Sequence, residues 1–227
     1  MIKNIKLLTI ILLALAILFN GHSSLFSNSY SKIPFYFGFS GGMNYSKVNY
    51  DEVSKEYLPS GQIAFEIESF VFSNSKVAKS SLLYGLSYES KNYNILNLNN
   101  KEIQLESSYL TIPIKYQYNI IDLMKDNSNM SFLMKEDNLT ISILIGGFYS
   151  LLLNQKSSDE NIDYLPSSNY GIIIGSKLDY MFNNGINVFI EYNLQYGFAS
   201  LQNSVSTTTN ISHIINIGFK FPSTALF

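Results

Sequence analysis

The chain contains no cysteine and no tryptophan. Without thiols there is no disulfide framework, no thiolate metal site and no cysteine to carry an N-terminal lipid. Histidine is nearly as scarce, at two in 227 residues. A Ser–His nucleophile pair oriented by an acid therefore has only His22 and His213 to draw on. Ser212 points to the face opposite His213, and positions 211 and 215 are both Ile, so His213 reads as a membrane-interface residue. The sequence offers no catalytic residues, no cofactor site and no metal ligands. Asp122, Asp126, Glu136 and Asp137 lack the spacing of a calcium loop. Formal net charge is −2 and no basic block exists, which argues against a nucleic-acid partner. After residue 19 no apolar run is long enough for a membrane helix, although 46% of the chain is hydrophobic.

The apolar residues are distributed by alternation instead. From Tyr170, even positions carry Ile172, Ile174, Leu178, Tyr180 and Phe182, while Gly171, Gly175, Lys177 and Asp179 fall between them. After Asn183-Asn184-Gly185, the apolar set is Ile186, Val188, Ile190, Tyr192, Leu194, Tyr196 and Phe198, opposed by Asn187, Glu191, Asn193 and Gln195. Side chains alternate across a strand, so each arm has one apolar and one polar or small face. Asn-Gly suits a tight hairpin turn. Each arm is long enough to cross a bilayer as a tilted strand, which takes about 9–11 residues.

The same pattern predicts eight strands. The first carries Phe35, Phe37, Phe39, Met43 and Tyr45 on one face. The second carries Ile63, Phe65 and Ile67, and the third Leu82, Tyr84, Leu86 and Tyr88. The fourth carries Leu110, Ile112, Ile114, Tyr116 and Tyr118, with Pro113 requiring a bulge or a weakened ladder position. The fifth carries Ile141, Ile143, Ile145 and Tyr149. The hairpin gives the sixth and seventh, and Ile211, Ile215, Ile217, Phe219 and Phe221 mark the eighth. An even strand number fits a closed all-β, antiparallel, up-and-down transmembrane barrel. Gly38, Gly41, Gly42, Gly146 and Gly147 fall within strands and read as close-packing or curvature positions.

Residues 1–24 read as a secretory signal peptide: Lys3 and Lys6, an apolar stretch from Leu7 to Phe19, then small or polar residues. The barrel domain occupies 25–227. Residues 46–57, 92–100, 154–167 and 199–210 read as long outer loops, and 73–79 and 183–185 as short periplasmic turns. The connection 119–138 is long for the periplasmic side and rich in apolar residues, so it either extends two strands or offers a surface to secretion or periplasmic proteins.

Alternation alone does not fix which face looks inward, since a soluble lipocalin-like barrel has the opposite sense. Charge decides it. Glu66, Glu68, Glu89, Lys115, Lys177, Asp179, Glu191 and Lys220 all fall on the polar face. A lysine facing mid-bilayer lipid costs about 2–4 kcal/mol. The expected arrangement is an interior charge network with the apolar face against outer-membrane lipid.

Four segments carry a family resemblance: Phe37-Gly-Phe-Ser-Gly-Gly-Met-Asn44, Tyr109-Leu-Thr-Ile-Pro-Ile-Lys-Tyr116, Ile145-Gly-Gly-Phe-Tyr149 and Ile190-Glu-Tyr-Asn-Leu-Gln-Tyr-Gly197. With them the chain resembles the outer-membrane β-barrel family common in Bacteroidota that includes the PorT-like proteins. The resemblance implies a bacterial outer-membrane location and insertion by the barrel-assembly machinery, with Phe221 or Phe227 as the terminal aromatic signal. It supplies no catalytic residues. The leading expectation is a barrel with a structural or binding role through its loops. The alternatives are a PorT-like accessory role in type IX secretion, a narrow pore, or a soluble exported barrel.

Overall fold

The computed structural model describes residues 35–49, 57–71, 80–96, 102–122, 138–158, 167–182, 185–198 and 209–223. The expected signal peptide and most of the 119–138 connection lie outside these residues. Eight strands form in chain order: β1 Tyr36–Asn49, β2 Leu58–Val71, β3 Ser80–Leu96, β4 Glu102–Asp122, β5 Asn138–Ser157, β6 Ser168–Met181, β7 Asn187–Gly197 and β8 Thr209–Pro222. Each pairs antiparallel with its neighbours, and β8 returns to β1 to close the barrel. Closure leaves no unpaired edge, which is the condition for a sheet to cross lipid.

Following paired residues around the wall measures the stagger. The path runs Phe37, Ile67, Tyr84, Ile114, Gly147, Ile172, Tyr196, Ile211 and back to β1 at Lys47, ten residues beyond its start. That stagger tilts the strands against the barrel axis, typically by about 35–45°. A strand so tilted needs more residues to cross the membrane than an upright one.

The tightest described connection is the β6–β7 turn. Gly185 has φ 81°, in the region that favours glycine. Gly185 N–H donates to the Phe182 carbonyl and Phe182 N–H to that of Ile186, both at 2.9 Å. Pro113 causes no register shift against β5, where it pairs with Phe148. On the other side, the β3–β4 ladder is interrupted between Tyr84↔Ile114 and Ser87↔Thr111 with its register unchanged, as the missing N–H of Pro113 allows. The two β4–β5 irregularities lie elsewhere, at Ser108/Tyr109 and Asn119/Ile121.

All four expected outer loops are shorter than the sequence suggested, the last because β8 begins at Thr209. β3 continues through Asn92 to Leu96, β4 begins at Glu102, β5 runs on to Ser157, and β1 reaches Asn49. In this extension the facing pattern inverts. Tyr93, Ile103 and Leu105 point inward and are buried, while Gln104, Glu106, Asn154 and Lys156 are exposed. Beyond the lipid the outer surface meets water, so the polar residues now face out.

Candidate functional site

The outer wall is apolar where it would meet lipid. Ile63, Ile145, Ile174 and Ile217 are 52–65% exposed, with Ile114, Ile143, Ile190 and Ile215 also outward. Aromatic residues flank this band. Tyr180 and Phe182, in edge-to-face contact, lie at the β6–β7 turn. Tyr170, Tyr196 and Phe198 cluster at the opposite end. Interfacial aromatic belts of this kind mark the two boundaries of an outer-membrane barrel.

The inside has the reverse character. All eight charged residues singled out in the sequence are buried: Glu66, Glu68, Glu89, Lys115, Lys177, Asp179, Glu191 and Lys220. Seven of them form two groups. In the first, Lys115 Nζ on β4 donates to Glu66 Oε1 on β2 at 2.6 Å and to Glu191 Oε1 on β7 at 2.5 Å. Lys177 on β6 lies 3.8 Å from Glu66 and 3.6 Å from Glu191. Two cations and two anions from four strands thus meet across the lumen. Asn193 donates to Glu191 at 2.6 Å, and Lys177 stands over the Phe189 ring at 4.1 Å. In the second group, nearer the β6–β7 turn, Lys220 bridges Glu68 at 2.6 Å and Asp179 at 2.9 Å. Ser81 also donates to Glu68, at 2.8 Å.

Glu89 pairs with a partner the sequence reading did not single out. Lys91, 1% exposed, lies 3.2 Å from Glu89 and donates to Gln195 at 3.2 Å. Its alternation with Ser87 and Glu89 was the available signal. Tyr109 and Phe148 flank the same ammonium at 5.5 and 5.6 Å. Interior apolar residues were also missed: Leu83, Leu144, Ile173, Phe189 and Ile214 fill space between the polar side chains. Gly42, Gly85 and Gly146 sit where a Cβ would collide with the backbone of the adjoining strand, so these glycines serve close packing.

Ser212 and His213 stand on opposite sides of the wall. Ser212 is buried inside, 2.9 Å from Ser46 Oγ. His213 is on the outer face, with Nδ1 2.7 Å from the Tyr192 hydroxyl. Nothing in this geometry makes them a nucleophile and its base.

No protein-family model matches the chain, and no curated protein sequence matches it. Among solved structures it is similar to Ail, the attachment invasion locus protein of Yersinia pestis, at 11% identity over 82% of this chain and 98% of that one, TM-score 0.37. It is similar to Neisserial surface protein A at 8% identity, 82% and 96% coverage, TM-score 0.41. The N-terminal β-barrel domain of OprF from Pseudomonas aeruginosa gives 12% identity, 82% and 97% coverage, TM-score 0.36. The assignment of class rests on the barrel's own surfaces. A sealed ladder, an outward apolar band and an ion-paired interior define a small β-barrel of the bacterial outer membrane. The facing is opposite to that of a soluble lipocalin-like barrel.

Proposed function

We propose that the chain is exported by its residues 1–24, inserted by the barrel-assembly machinery, and works as a closed outer-membrane barrel with a structural or binding role. Its loops and rims do the work, and the lumen holds the wall together. The observation that carries this reading is the Lys115–Glu66–Glu191–Lys177 cluster, buried and crossing the interior. An eight-stranded barrel is just wide enough to be filled by side chains. Planar-bilayer recording tests the reading against a narrow pore. Reconstituted protein gives no steady conductance if the cluster closes the lumen; a stable ohmic channel would select the pore.

A second reading is a PorT-like accessory role in secretion. It draws on the Phe37–Asn44 and Tyr109–Tyr116 segments alone, without a family match. One structural observation favours a partner at the β4–β5 connection: Ile120 and Ile121 are exposed beside the β4–β5 irregularity, next to residues 123–137. Deletion of the gene would lower type IX secretion under this reading and leave it unchanged under the first.

A further inference from the structure

Among the described residues the outer face carries a basic and aromatic cluster at the end of β1. Lys47 faces outward near the end of β1, where it pairs with Ile211. Two residues earlier, Tyr45 pairs with His213. The Lys47 ammonium lies 4.8 Å from the Tyr57 ring centroid. The His213 ring meets the same Tyr57 ring edge-on at 4.9 Å. His213 is held in turn by Tyr192, whose hydroxyl is 2.7 Å from Nδ1. Tyr57 and Tyr192 are each 38% exposed. The lysine is therefore laid over a ring that a second ring braces, rather than extended freely into water.

Among the described residues Lys47 has no ion-pair partner, whereas the outward Lys156 stands opposite Glu106 in the β4–β5 register. The Tyr192 hydroxyl and His213 Nδ1 share a hydrogen bond, which leaves Nε2 as the ring's second polar atom. Tyr57 brings a phenol hydroxyl beside them. All belong to the wall at the end away from the β6–β7 turn and the end of β8 at Pro222, where the lipid-facing band gives way to Tyr170 and Phe198. A cation, an imidazole and a phenol at a membrane boundary suit the charge and the acceptor oxygens of a phosphate monoester.

We infer that Lys47, Tyr57 and His213 bind the phosphate of a phosphorylated glycolipid in the outer leaflet. The inference rests on the membrane placement argued above. Tyr192 is a positioning residue that holds the His213 ring.

The test is native mass spectrometry of refolded full-length protein in detergent, titrated with a bis-phosphorylated lipid A and with the same lipid after phosphate removal. Heat-modifiable gel migration is read in parallel for every variant. Wild type is expected to prefer the phosphorylated lipid. Lys47→Ala is expected to weaken that preference about fivefold, as one surface lysine contributes. Lys47→Ala/His213→Ala should abolish it, Lys47→Arg should keep it, and Lys156→Ala should leave it unchanged. Equal retention of both lipids by wild type, or an unchanged preference in the double variant, overturns the site. Competition by millimolar inorganic phosphate as effective as that by the lipid overturns the lipid as its source. Loss of heat-modifiable migration in wild type itself overturns the membrane reading, and the site with it.

Discussion

Lys115 and Glu191 are joined at 2.5 Å although their strands, β4 and β7, are not neighbours in the barrel. The pair therefore spans the lumen, and both residues are at most 2% exposed. Removing one partner of a buried pair leaves a charge without compensation, at a cost of about 3–5 kcal/mol. Lys115→Met should lower unfolding stability by that order in urea titrations in lipid vesicles. It leaves Glu66 and Glu191 to share Lys177.

Lys115→Met/Glu191→Gln restores charge balance between Glu66 and Lys177. The double variant should be less destabilised than the sum of its two single changes, with a coupling of about 0.5–3 kcal/mol. Additive losses in a double-mutant cycle would mean the two residues act independently.

Outward positions should reject charge by depth. Ile145, 61% exposed, lies in the apolar band. Ile145→Lys is expected to cost about 2–4 kcal/mol in a bilayer. The measurement is the shift in unfolding free energy of the refolded variant.

The pattern inverts above that band. Leu105 is fully buried and Gln104 beside it is exposed. Leu105→Lys should destabilise strongly, while Gln104→Lys should stay within about 0.5 kcal/mol, as surface changes usually do. Equal effects at 104 and 105 would place the membrane boundary elsewhere.

Much of this was legible in the sequence because lipid enforces one rule over many residues. Eight alternating segments gave eight strands, and charge on the polar face gave the inward set from Glu66 to Lys220. The strand extensions were not legible. Asn92, Tyr93 and Asn94 read as loop because their polar-out, apolar-in order is the reverse of the membrane pattern. Pairings across the lumen were also hidden. Parity says that Lys115 and Glu191 both point inward, but only the ten-residue stagger sets them at one level. Lys91 was missed though its parity was available, and Ile173 and Phe189 because an interior of mixed polarity breaks strict alternation.

The central claim is that the apolar face meets lipid, and the absence of native tryptophan makes it directly measurable. Single tryptophans placed at successive β7 positions can be read by quenching from brominated lipid chains. The account predicts strong quenching for Ile190→Trp and Leu194→Trp and weak quenching for Asn193→Trp and Gln195→Trp. Uniform quenching along the strand, or stronger quenching at 193 and 195, would contradict it.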